Sequence, residues 1–211
     1  MIDEKQTSRV KKNFNCASII YDMFEWLPEG RSLNWRERVW FHVPTGKVLE
    51  VGIGTGRNLP YHPDRIRVIG MDLSDGMLAK AHNYANRLNY HIDLQQMDVQ
   101  QLAFADDTFE TVVATFVFCS VPNQIHGLQE LKRVVKQDGR IILLDHVRIN
   151  KPIIGWLMDM LNVFTHLFGE NINRRTVENV KQAGLKIESV TDLTRLGLVK
   201  LIVATKHDQA V

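Results

Sequence analysis

From Gly46 onward, short apolar runs alternate with longer stretches whose apolar residues recur every three or four positions. That alternation is the pattern of a parallel sheet covered by helices on both faces. Lys47–Val51, Arg67–Asp72, Ile92–Met97, Thr111–Phe116 and Arg140–Val147 predict strands. Between them, Asp75–Leu88 carries Met77, Leu78, Ala81, Ala85 and Leu88 at helical spacing, with Ser74 placed as its N-cap. Gln124–Lys136 repeats the pattern through Ile125, Leu128, Leu131, Val134 and Val135, and Gly139 marks its end as a turn. Further on, Arg174–Ala183 predicts a helix stopped by Gly184. Leu185–Val190 and Val199–Thr205 then predict two strands close enough to pair only antiparallel. Ahead of Gly46 the chain reads as helical, over Ala17–Leu27, stopped by Pro28 and Gly30, and over Asn34–Phe41 before Pro44.

One stretch breaks the amphipathic rule. Residues 153–168 are apolar on nearly every side, and only Asp159, Asn162 and His166 form a narrow polar stripe. A surface helix needs one apolar face for the core. The surplus points to an apolar substrate pocket, a membrane-facing cap or a dimer contact, with full burial in the domain as the plain alternative. The stretch is short for a bilayer crossing, which takes about 20 residues.

With 211 residues the chain suffices for one well-packed domain. A formal charge of +2 is too balanced to predict a nucleic-acid partner. Lys5, Arg9, Lys11, Lys12, Arg31, Arg36 and Arg38 are expected on solvated helical faces, with a weak anionic-surface contact as the alternative. Cys16 and Cys119 lie far apart without metal-type spacing, so neither a disulfide framework nor a metal site is expected. The N-terminus lacks the basic start and apolar centre of a signal peptide. A cytoplasmic protein is expected, at most peripheral at the inner membrane surface.

The first predicted strand runs into Val48-Leu49-Glu50-Val51-Gly52-Ile53-Gly54-Thr55-Gly56. Glycines at 52, 54 and 56 let the backbone turn sharply and let a ligand approach the main chain. Asp72 ends the next strand, where a carboxylate can accept both hydroxyls of a ribose. A dinucleotide fingerprint would place the third glycine one residue later, and no Walker-type lysine follows. This disfavours a nucleotide-dependent oxidoreductase. Glu50 would repel a phosphate but accept from an amino-acid ammonium.

These residues, with Ile69-Gly70-Met71-Asp72-Leu73-Ser74, Met77-Leu78 and Gln96-Met97-Asp98-Val99, resemble the successive motifs of the class I S-adenosylmethionine-dependent methyltransferases, type 11 group. The resemblance implies an α/β, Rossmann-like, doubly wound seven-stranded sheet, mostly parallel with an antiparallel last strand. Residues 1–45 would form a helical lid over a single unit, 46–211. It also implies S-adenosyl-L-methionine as cofactor, released as S-adenosyl-L-homocysteine. Gly52, Gly54 and Gly56 would line it and Glu50 would lie near its methionine portion. Asp72 would bind the ribose, Leu73 and Met77 would flank the adenine, Asp98 would accept from its amine, and Val99 would offer a backbone N–H. Phe116 and Cys119, just after the fourth strand, would face the transferable methyl. The plain alternatives are a loop-capping acid for Asp98 and core packing for Met77, Phe116 and Cys119.

Methyl transfer requires alignment of donor and acceptor more than a strong acid, but an ammonium or thiol acceptor must first lose a proton. His146, after Asp145 at the end of the fifth strand, is the first base candidate, and a structural histidine is its alternative. Tyr21, with Asp22, resembles the Tyr-Asp pair with which related enzymes close a lid. The strand end Leu144–Val147, the apolar stretch and Asn171–Val177 are similar to small bacterial phosphatidylethanolamine N-methyltransferases and to animal methyltransferase-like proteins acting on thiols at membranes. The ubiquinone and menaquinone methyltransferases are similar more distantly. The expected partner is therefore a small-molecule or lipid acceptor, with membrane contact through 153–168. Arg174 and Arg175 are candidates for an anionic headgroup. A non-catalytic protein that only binds the cofactor is the alternative of another class.

Overall fold

The computed structural model describes residues 3–17, 29–148 and 174–206. The expected helix Ala17–Leu27 lies outside these apart from Ala17, as do Tyr21, Asp22 and the apolar stretch 153–168.

Seven strands form one sheet: β1 Gly46–Val51, β2 Ile66–Asp72, β3 Asp93–Gln96, β4 Phe109–Thr115, β5 Val135–His146, β6 Lys186–Asp192 and β7 Val199–Thr205. Their spatial order is β3-β2-β1-β4-β5-β7-β6. Pairings from β3 across to β5 are parallel, while β7 runs antiparallel to both β5 and β6. The sheet is therefore the doubly wound α/β arrangement expected, and the order reverses beside β1, where such sheets open a ligand crevice at the carboxyl ends of their strands.

The helices are α1 Glu4–Ala17, α2 Glu29–Phe41, α3 Asp75–Arg87, α4 Gln124–Val134 and α5 Thr176–Gln182. Strand alternation sends successive side chains to opposite faces, and β5 shows the result. Ile141 and Leu143 join Leu128, Leu131 and Val180 in one core layer. Ile142 and Leu144 join Val39 and Trp40 of α2 in the other. Each fully buried aliphatic side chain there contributes about 1.5–3 kcal/mol.

Some boundaries differ from expectation for identifiable reasons. β5 begins five residues before Arg140, so Val135, Lys136 and Gly139 belong to the strand and not to a helix end and turn. Val135 is fully buried and pairs with Phe109, and this tertiary contact overrides the helical spacing. β4 stops at Thr115 because Phe116 takes a left-handed φ of 57°. Of the basic residues, Lys5, Arg9, Lys12 and Arg38 are solvated as expected. Arg36 is buried, 9% exposed.

Candidate active site

Where β1 ends, the chain turns through Gly52, Gly54 and Gly56 at φ of 65°, 57° and 87°, a region that costs a side-chain-bearing residue strain. The three have different jobs. A Cβ on Gly52 would sit 2.4 Å from Cγ2 of Val117, and one on Gly56 would press on Leu59 at 2.9 Å and Ala81 at 3.3 Å. Both allow close packing. A Cβ on Gly54 would meet nothing within 4 Å. That glycine presents bare backbone to open space.

The space is a cleft of about 710 Å³, including its open mouth, lined among others by Gly52, Gly54, Asp72, Leu73, Met77, Asp98, Val99 and Phe116. Eight of the ten residues expected at the cofactor thus share one cavity; Gly56 packs behind it and Glu50 faces elsewhere. Asp72 is tied by two backbone amides, Gly54 N–H donating to Oδ2 and Ser74 N–H to Oδ1, both at 2.9 Å. Each carboxylate oxygen keeps one acceptor site for a ribose hydroxyl. Burial pushes the Asp72 carboxyl upward against these bonds.

Ser74 caps α3 as expected, accepting from Met77 N–H. Beyond expectation, α1 supplies a second cap. The side-chain oxygen of Asn15 accepts from the Ser74 hydroxyl and from Gly76 N–H at 3.3 Å. Lys11 pairs with Asp75 at 3.2 Å, and Val10 and Phe14 form part of the cleft wall. Farther along the cleft wall, Asp98 accepts from the backbone and side chain of Gln100, which also donates to Thr7 on α1 at 3.1 Å. Gln100 itself is 1% exposed.

Glu50 is fully buried and occupied. Its Oε1 accepts from Asn58 at 2.6 Å and its Oε2 lies 2.9 Å from His62 Nε2. Asn58 also donates to Thr115 at 2.9 Å and accepts from Arg36 Nη1 at 2.7 Å. His62 reaches Tyr90 at 3.1 Å and stacks on Trp40. A polar chain thus fastens α2 to the ends of β1 and β4. Nothing in the spacing of Arg36, Asn58, His62 and Tyr90 announces it.

At the ends of β4 and β5, Phe116 lines the cleft and its ring lies 4.8 Å from that of His146. His146 is mostly buried, and burial holds its imidazole below the ordinary histidine range. Asp145, its sequence neighbour, points to the opposite face of the sheet, where Thr176 donates to it at 3.3 Å. The two do not form a dyad. Burial raises the Asp145 carboxyl to about 7 despite bonds from His146 N–H and Thr176. Cys119 is buried and donates to Phe116 O at 3.5 Å, away from the cleft lining.

Val10 and Phe14 escape sequence reasoning, because both reach the cleft only through the docking of α1.

Residues 49–143 match a methyltransferase-domain family. The chain is 36% identical over 138 residues to a phosphatidylethanolamine N-methyltransferase of Cereibacter sphaeroides, covering 64% of this chain and 68% of that protein. It is 27% identical to the ubiquinone/menaquinone biosynthesis C-methyltransferase UbiE of Geotalea daltonii, covering 75% of this chain and 78% of that one. Among solved structures, a methyltransferase from Thermotoga maritima described as a possible histamine N-methyltransferase superposes with a TM-score of 0.74 at 18% identity, over 94% of this chain and 100% of that one. This last likeness concerns the fold.

Proposed function

The chain belongs to the class I S-adenosylmethionine-dependent methyltransferases, and we propose that its acceptor is the amine of an ethanolamine-type phospholipid or a closely related amphiphile. It is an enzyme acting on a small-molecule acceptor, and its cofactor is S-adenosylmethionine. When bound, that cofactor supplies a methyl group on a positively charged sulfur. The chain's own residues do the remaining work. Asp72, held by two amides, takes the ribose hydroxyls; Gly52 and Gly54 admit the donor to the backbone; Leu73, Met77, Asp98 and Val99 receive the adenine.

An ammonium must give up a proton before its lone pair can form the new bond to carbon as the bond to sulfur breaks. A neutral His146 is suited to take it. The single observation carrying this reading is the placement of that buried imidazole against Phe116, where the donor cleft meets the ends of β4 and β5. Similarity to the Cereibacter sphaeroides enzyme supports the same acceptor class. Asp145 acts from the far face of the sheet, bracing the His146 backbone.

Residues 1–45 act in this reading as a lid on 46–211, supported by Val10 and Phe14 in the cleft wall. No helix among the described residues is long and apolar enough to cross a membrane. A cytoplasmic enzyme working peripherally at the inner membrane surface, with 153–168 as its apolar contact and Tyr21 closing the lid, accords with a lipid acceptor. A second reading, a quinone precursor methylated at carbon, is favoured by the similarity to UbiE, and a thiol acceptor by similarity to the thiol S-methyltransferase TMT1B of Homo sapiens.

Labelled donor with a panel of ethanolamine lipids, thiols and quinone precursors tests these readings. Transfer to the ethanolamine lipid, lost in His146→Gln, is expected. Transfer to quinone precursors or thiols alone establishes the second reading, and transfer to none overturns the acceptor class.

A further inference from the structure

We infer that Arg36 is the specificity residue that receives the acceptor's anionic group, a phosphodiester or similar oxyanion, beside the methyl-transfer position. The inference rests on the reading that the acceptor is an amphiphile methylated at nitrogen.

Arg36 comes from α2 and, among the described residues, is the one lysine or arginine that is buried. It is 9% exposed. A guanidinium taken out of water loses hydration that only an anion and a full set of hydrogen bonds restore. Among the described residues Arg36 has neither. Its single hydrogen bond goes to a neutral amide, Asn58 Oδ1, at 2.7 Å. Glu50, the nearest acid in that chain of bonds, has its two oxygens committed to Asn58 and His62. The Asn58 amide therefore stands between cation and carboxylate, and it fixes the guanidinium by one nitrogen only. The remaining nitrogens are not among the sealed, partnerless buried atoms of the described residues. Among the described residues no other hydrogen-bond partner occupies them.

Location supplies the second half of the argument. The guanidinium carbon lies 5.9 Å from the centre of the Phe116 ring. Phe116 lines the donor cleft, holds a left-handed φ of 57°, and touches His146 with the same ring. A bulky side chain is kept in such a conformation at a cost of about 1–3 kcal/mol, and positions of this kind cluster at functional sites. Phe116 thus has the donor cleft, the base and a buried cation around one ring. An acceptor whose amine lies at that ring, with its phosphate two carbons away, brings its negative charge to Arg36 while its nitrogen faces donor and base. A planar guanidinium suits this because it binds oxyanions through paired N–H donors. Arg175, by contrast, is exposed, and Arg174 donates to the Val121 carbonyl at 3.2 Å beside a different cavity.

The test uses the full chain. Arg36→Gln and Arg36→Lys are compared with the parent for transfer to phosphatidylethanolamine in mixed micelles and to a long-chain amino alcohol lacking phosphate. S-adenosylhomocysteine affinity and melting temperature serve as controls. In parallel, phosphoethanolamine and inorganic phosphate are titrated against the protein saturated with S-adenosylhomocysteine. Arg36→Gln is expected to lower kcat/KM for the phospholipid about 10- to 100-fold, the range of a lost charged hydrogen bond, with less than threefold loss on the phosphate-free amine. Arg36→Lys should recover part of it. Phosphoethanolamine should bind the parent and not Arg36→Gln, and inorganic phosphate should compete with it. Equal losses on both acceptors, or a matching loss of S-adenosylhomocysteine affinity, overturn the inference and leave Arg36 a structural brace. If the parent methylates neither acceptor, the acceptor reading fails. The binding titration still decides Arg36, since phosphoethanolamine bound equally by parent and Arg36→Gln overturns its role.

Discussion

The proposed donor half of the cleft and the proposed acceptor side are built by different means. Around the proposed donor site, the functional groups are aimed by backbone: the glycine turn, Asp72 held by the amides of Gly54 and Ser74, and Asp98 by the amide of Gln100. Around the proposed acceptor, Arg36 of α2, Phe116 just after β4 and His146 of β5 meet through side-chain contacts. Backbone amides hold the first set, whereas the second is held by side chains that α2 and the sheet bring together. It follows that substitutions on the donor side should act on cofactor affinity, and those on the acceptor side on turnover.

The sharpest way to break this division is Asp72→Ala. Loss of charge-assisted bonds to two hydroxyls, each worth about 1.5–3 kcal/mol, should weaken S-adenosylhomocysteine binding by about 10³-fold in calorimetry. An unchanged affinity would place the ribose elsewhere. On the other side, His146→Gln should lower kcat on an amine acceptor by about 10²-fold, at the lower end for a lost general base. Cofactor affinity should stay unchanged; a parallel loss would show that the two halves are not separable.

A smaller effect sharpens the boundary. Asn15→Ala removes the cap that α1 lends to α3, an interaction of about 1 kcal/mol. Cofactor affinity should fall about fivefold, with turnover at saturation unaffected. The smallest effect concerns Asp145, which lies behind both halves. Its carboxyl is raised to about 7 in the folded protein from an ordinary value of 3.8, so the folded state holds its proton more tightly. Asp145's contribution to stability is therefore largest in acid and is lost as pH rises towards about 7. Asp145→Asn should gain a few degrees of melting temperature over the parent at pH 8.5, and the gain should shrink towards pH 4. A difference independent of pH would mean that Asp145 is not titrating.

The same contrast explains what the sequence discloses. Strand alternation and helical spacing specify the sheet almost completely, and the glycine turn with Asp72 and Asp98 marks most of the donor cleft, because each signal is carried by neighbouring residues. Val135 misleads because its burial against Phe109 lies outside the local pattern. Asp145 and His146 look like a pair, yet strand alternation sends them to opposite faces. The Glu50–Asn58–Arg36 chain leaves no trace in spacing. Glu50, expected at the cofactor's amino-acid end, is spent on that chain.

The cap that Asn15 places on α3 makes the cofactor cleft readable by hydrogen exchange. Gly76 N–H is protected by a residue 61 positions away in the chain, not by its own helix. Its exchange should therefore follow the docking of α1, while Met77 N–H, bonded within the same turn to Ser74, follows the stability of α3 itself. The ratio of these two adjacent amides would act as an internal clock for the undocking of α1, with no label attached to the protein.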